Sequence, residues 1–187
     1  MTKMTAKEFK KDLSAGLKYP WGEASRLWNI LWILLPIFGW LALVGYLKKI
    51  VRSLVKGDTK KLPKMDPFWK SFVEGVVVAV FMIPTAIALG LINAVPFFGA
   101  IVGTLISIFL LPWLTINFFE KETFNALWEI KKGFNKVFDN AVEYIFVYLK
   151  TIVFAIIYTI LMVVLVGIPC ATFGRMYFLA AFYNKHH

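Results

Sequence analysis

The chain has 187 residues, 59% of them hydrophobic, and a formal net charge of +10 at pH 7. That is the length of one domain and far more apolar than a soluble one, which excludes an ordinary water-soluble globule and points to a single helical unit in lipid. The basic residues fill the gaps between apolar runs, where they suit headgroups and cytoplasmic loops, so the expected partner is a membrane surface and not nucleic acid.

Residues 1–27 open with Thr5 and, three positions on, Glu8, the pattern of a capping box. Phe9, Leu13 and Leu17 recur every fourth residue beside Lys3, Lys7, Lys10, Lys11 and Lys18, which predicts a basic amphipathic helix lying in the headgroup plane near Trp21. No apolar signal core precedes Trp28, so no removable leader is expected.

Residues 28–187 read as one membrane domain. Its first apolar run, 28–47, is broken by Leu35-Pro36-Ile37-Phe38-Gly39. Proline removes a backbone donor and glycine permits a bend, so the run is either one kinked crossing or a shallow re-entrant hairpin turning at Pro36 and Gly39. The basic loop 48–71 follows. Its Lys48, Lys49, Arg52, Lys56, Lys60, Lys61 and Lys64 are candidate headgroup ligands, each base contributing about 1 kcal/mol near an anionic surface.

The second run, 72–119, contains forty-five consecutive residues between Glu74 and Glu120 with no charged side chain, His, Cys or Tyr. A helical crossing takes about 20 apolar residues, so this stretch predicts two crossings joined by a tight turn at Val95-Pro96-Phe97-Phe98-Gly99. Gly99 and Gly103, with Ala86 and Gly90 on the preceding helix, are small-xxx-small pairs suited to close helix packing. Pro84 and Pro112 predict kinks.

The linker 120–141 places Phe124, Leu127, Trp128, Phe134, Val137 and Phe138 at helical spacing, a second interfacial helix weakened at Gly133. The third run, 142–184, carries Gly167-Ile168-Pro169 as its expected turn and Arg175 beyond it. An intramembrane charge is costly, so Arg175 either faces polar partners such as Asn93, Asn117 or Glu74, or binds phosphate headgroups. The fold class is therefore all-α: a polytopic bundle of three helical hairpins plus two interfacial amphipathic helices.

Charge supports this plan. Residues 1–27 hold six Lys or Arg against three acids, and 48–70 hold eight against two. A single crossing at 28–47 would put these on opposite sides, against the positive-inside rule, whereas a re-entrant hairpin keeps both cytoplasmic. The linker and the Lys185 terminus then lie inside, with all three tips deep or outside.

Little catalytic chemistry is visible. There is no glycine-rich phosphate loop, zinc-type His pair or paired membrane carboxylate, the two His are terminal and equally native or tag-derived, and Cys170 is alone. No enzyme activity, cofactor or metal is expected.

Leu35-Pro36-Ile37-Phe38-Gly39 with Gly45-Tyr46-Leu47, then Arg52, Gly57-Asp58, Leu62-Pro63, Asp66 and Phe72 to Gly75, resembles domain of unknown function 4013, a family of small polytopic membrane proteins from archaea and bacteria. The later order of kinked hairpin, amphipathic linker and terminal Gly-Ile-Pro helix is also similar. The resemblance implies a multi-pass fold in a prokaryotic cytoplasmic membrane and supplies no catalytic residue.

These features predict a non-enzymatic membrane-organising scaffold or accessory subunit that grips anionic lipid. The rival is a small transporter or channel, for lipid among other species, built around Pro-broken helices with Arg175, Asn93 and Asn117 along its path. The scarcity of polar surface permits a homo-oligomer or a place in a larger membrane complex.

Overall fold

A computed structural model describes residues 5–187; Lys3 lies outside them. The chain runs through α1 (Ala6–Lys18), a 3₁₀ segment (Tyr19–Leu34) kinked at Glu23, α2 (Phe38–Val55), α3 (Phe68–Asn93), α4 (Phe98–Leu105), a π-helical turn (Ile106–Leu110) and α5 (Leu111–Lys121). A short 3₁₀ turn (Phe124–Trp128), α6 (Ile130–Asp139), α7 (Ala141–Leu161), a 3₁₀ turn (Met162–Val164), α8 (Gly167–Gly174) and α9 (Tyr177–His186) complete it. Among the described residues there is no strand, and the fold is all-α.

Three stretches, Phe68–Asn93, Phe98–Lys121 and Ala141–Val164, are long and apolar enough to cross a bilayer, and most of their surface is left uncovered by the rest of the chain. A water-soluble fold would bury such helices; this is a membrane protein.

The reversals at Pro36 and Pro96 have one geometry. Ile37 and Phe97 hold φ/ψ of 65/−65° and 59/−62°. Each is the centre of a three-residue γ-turn, Phe38 donating to the Pro36 carbonyl and Phe98 to that of Pro96, both at 2.7 Å. One residue on, Gly39 lies against the Trp32 carbonyl and Gly99 against that of Ile92, where a Cβ would overlap the oxygen. The chain therefore doubles back within 28–47, and that run forms a hairpin and not a single crossing. Its apolar legs, Trp28–Leu34 and Phe38–Leu47, are each about 15 Å long, half of a 30 Å hydrocarbon core.

The third reversal differs from expectation. It falls at Leu165 (φ 61°), with Val166 donating to the Val164 carbonyl at 2.7 Å, and Pro169 sits inside α8. Gly167 does serve the turn, since a Cβ there would strike the Tyr158 carbonyl. Pro169 falls at the third residue of α8, within the first turn, where the amide has no intrahelical partner to lose.

α2 is the centre of the fold, packing on α3, α5, α9 and the 3₁₀ segment. Its tightest contact is with α3, where Gly45 faces the Ser71 carbonyl and Gly75 the Leu41 carbonyl so closely that neither tolerates a Cβ. This is the backbone approach that was expected at Ala86 and Gly90. Those two are exposed, with open space around Gly90; Gly99 and Gly103 are buried, the latter under the Asn93 side chain.

The tips do not share one side. Phe68 packs at a tilt on Trp32 and Phe72 stacks on Phe38, so α3 begins beside the first tip and runs alongside α2 away from it. Its 26 residues carry the second tip about 39 Å off. Tyr46 and Phe173, nine and eight residues past Ile37 and Leu165, are in ring contact, which sets the third tip at the same end as the first. The tight α2–α3 glycine contact, invisible to charge counting, is what fixes this opposed arrangement.

α1 has the expected capping box, Thr5 Oγ1 accepting from the Glu8 amide and Glu8 from that of Thr5. It packs on α7, through Phe9 on Phe146 and Asp12 on Lys150, and on α9, with Gly16 under the Phe178 ring, while Lys7, Lys10, Lys11 and Lys18 stay exposed. The linker helix breaks at Glu129 and not at Gly133, which is buried against Leu110 and Trp113.

Candidate functional site

The densest chemistry lies where α2, α3 and α5 meet. Lys48, 4% exposed, sends its ammonium to Glu74 at 2.5 Å and Glu122 at 2.6 Å, and Arg52 reaches Glu122 at 2.7 Å. α2 supplies both cations on one face, Glu74 ends the charge-free run of α3, and Glu122 caps α5 in the left-handed region (φ 56°). The Lys48 ammonium, with Arg52 and Lys56 behind it, holds the Glu122 carboxyl below the usual carboxylate range. Beside it, Lys49 pairs with Asp66 at 2.8 Å and Lys121 with Glu129 at 2.5 Å, and the Lys121 hydrogen bond likewise lowers Glu129.

Three of the seven loop cations expected at headgroups are thus tied to carboxylates, Lys48 buried and Lys49 and Arg52 half-exposed. Their carboxylate partners arrive from α3, its preceding loop and α5, too far away in sequence for local spacing to reveal. Lys56, Lys60, Lys61 and Lys64 are exposed and without an ion-pair partner among the described residues, and so is Arg175.

Two further buried polar links were not expected. Asn117, fully buried, donates to the Ala126 carbonyl at 2.8 Å and accepts from Tyr183, whose hydroxyl also reaches Glu120, each at 2.7 Å. Burial and the Glu120 carboxylate together push the Tyr183 hydroxyl pKa up. Lys150, buried on α7, pairs with Asp12 of α1 at 2.7 Å. Lysine in an apolar helix was a legible signal for an ionic partner; that the partner lay 138 positions earlier was not.

Asn93, Asn117 and Arg175 are not brought together. Asn93 folds back on the Leu89 carbonyl near the second tip, Asn117 lies between α5 and α9, and Arg175 is exposed between α8 and α9. Two surface concavities, one lined by Leu35, Pro36, Phe38, Phe68 and Trp69 at the first tip and one by Trp128 to Lys132 with Asn135 on the linker, include none of those three residues. The arrangement is one of locked internal ion pairs, apolar tips and a set of free cations.

A family model described as a protein of unknown function (DUF4013) matches residues 29–167, about three quarters of the chain. No curated protein and no solved structure matches it.

Proposed function

The chain belongs to the DUF4013 family of proteins of unknown function, which brings no activity with it, and we propose from the geometry that it is a non-enzymatic membrane-organising scaffold or accessory subunit. The observation that carries this is the state of the three tips. Ile37, Phe97 and Leu165 are 64%, 88% and 71% exposed, and each turn is closed by a backbone hydrogen bond across that residue. Such tips suit immersion in acyl chains, where the first and third displace lipid on one side as wedges. The exposed cations of the 56–64 loop and Arg175 supply attraction to anionic headgroups. The expected place is the cytoplasmic membrane of a prokaryote, multi-pass.

One observation favours the alternative of a small transporter or channel: the second hairpin carries Pro84 inside α3 and a π-helical turn at Ile106–Leu110, the kind of break that frees backbone groups along a path. Reconstitution into vesicles with and without anionic lipid separates the two. A scaffold changes vesicle diameter or curvature in proportion to its density, without dye, ion or lipid flux. Flux at unchanged vesicle shape would overturn the scaffold in favour of transport.

A further inference from the structure

The second hairpin is broken at one depth on both legs. Pro84 lies twelve residues before the turn proline Pro96, and Ile108, the middle of the π-helical turn, lies twelve after it. Pro84 has no amide to donate to the Val80 carbonyl, and Pro112 has none for Ile108. Interior prolines and π-turns are where helices bend. From Glu74 to Pro96 is twenty-two residues, about 33 Å, so the breaks fall near the middle of the hairpin's charge-free length.

The two sides of this line are held differently. Within residues 85–105 only Gly99 and Gly103 are buried, and what covers them is the facing leg, through the Ile92 carbonyl and the Asn93 side chain. α4 packs chiefly on α3 and on the π-helical turn. On the other side the hairpin is built into the body: Phe81 meets Phe118 and Phe124, Phe109 meets Phe138, and Leu110 and Trp113 enclose Gly133.

One bond from the body reaches the line itself. The Tyr144 hydroxyl of α7 donates to the Ile108 carbonyl at 2.9 Å, taking the place of the amide that Pro112 lacks. Tyr144 is buried with its ring against Phe109, Tyr148 and Phe182, so its hydroxyl is fixed on the body.

We propose that residues 85–105 form a paddle hinged at Pro84 and Ile106–Leu110, latched by Tyr144, whose angle is set by the thickness of the bilayer around it. The outer surface of the paddle is apolar and uncovered, so lipid is what it meets, and bending at half depth is how a long hairpin fits a thinner core. Twelve residues make a lever of about 18 Å, and a change of about 20° in bend carries the tip about 6 Å. This goes beyond the scaffold reading and does not depend on it.

The test uses the full chain with Cys170→Ala, reconstituted in phosphatidylcholine bilayers of short and of long acyl chains. Spin labels at Val95→Cys on the tip and Lys131→Cys on α6, both exposed, report the tip-to-body distance by dipolar spectroscopy. Lys56→Cys with Lys131→Cys is the reference pair within the body. The tip distance shifts between the two bilayers by about 6 Å at most while the reference stays. Tyr144→Phe broadens the tip distribution, and Pro84→Ala with Pro112→Ala, which restores both amides, narrows it and removes the shift. A tip distance as narrow as the reference and indifferent to chain length overturns the inference. So does a reference pair that moves as much as the tip, since the whole fold then deforms. The labelled chain without either variant decides between these outcomes, so a variant that fails to fold leaves the test intact.

Discussion

The Lys48 cluster gives the sharpest test of how the fold is held. Side-chain exposure is 6% for Lys48 but 39% for Glu74 and 41% for Glu122, so the two acids retain water and the ammonium does not. Removing the lysine in Lys48→Met leaves two half-exposed carboxylates that solvent and Arg52 can still stabilise, a loss of about 1 kcal/mol. Removing both acids, Glu74→Gln with Glu122→Gln, strands a buried ammonium and costs about 3–5 kcal/mol. For a chain of this size that is a drop in Tm on the order of 10 °C, against a few degrees for Lys48→Met. The triple variant, with no charge left to strand, recovers most of the difference. Tm in a mild detergent, followed by near-ultraviolet circular dichroism, reads the order directly. If the double acid variant is no less stable than Lys48→Met, the carboxylates are not what holds Lys48, and the account fails. The same cluster sets a pH dependence. Because the folded Glu122 carboxyl is lowered, its stabilisation is complete above the unfolded value of about 4.3 and is lost as pH falls through the folded one. The wild-type Tm therefore declines below about pH 4.3, and Glu122→Gln flattens part of that decline.

Glycine substitutions separate the observed helix contact from the expected one. Gly75→Ala forces a methyl onto the Leu41 carbonyl and costs about 3 kcal/mol or more, while Gly90→Ala, with open space around it, is neutral or gains up to about 1 kcal/mol; equal losses of Tm would contradict the assigned α2–α3 contact. Asn117→Leu leaves the Ala126 carbonyl without its donor and costs about 2 kcal/mol, whereas Tyr183→Phe costs about 1 kcal/mol, and thermal melts rank the pair. Asp12→Asn leaves Lys150 buried beside a neutral amide and destabilises more than Lys150→Met does; the reverse order would mean α1 is held by its apolar face alone.

Helix content, the positions of the first two reversals and the α1 cap were legible because each depends on residues within a few positions of one another. Pro36 and Pro96 sit in near-identical pentapeptides, and they fold into the same γ-turn. The third turn centres on Leu165, two residues before the expected Gly167-Ile168-Pro169: Gly167 serves it, but Pro169 does not, because a proline in the first turn of a helix breaks nothing. What the sequence hid is long-range. Charge counting treats every lysine between 48 and 64 as free, and three of the seven basic residues there are tied to carboxylates met only through folding. The opposed direction of the second hairpin follows from α3 starting at the first tip, and nothing in 48–71 announces that this loop travels back along α2 before α3 begins.

The tips themselves combine two costs that make sense only together. A bulky residue at positive φ in a γ-turn is strained by about 1–3 kcal/mol, and water-exposed loops avoid it by using glycine or a longer connection. In lipid a longer connection is worse, since every unpaired amide or carbonyl there costs several kcal/mol. The tight turn keeps the number of unpaired groups small: at the first tip Leu35, Phe38, Gly39 and Leu41 all donate within the turn or the helix it opens. The side chains at its centre, Ile37, Phe97 and Leu165, are large and apolar, and each gains about 1.5–3 kcal/mol from leaving water for acyl chains, enough to offset the strain. In water neither the strain nor the exposure has any compensation. That all three reversals have a large apolar residue in this conformation is the strongest single reason to place them in lipid.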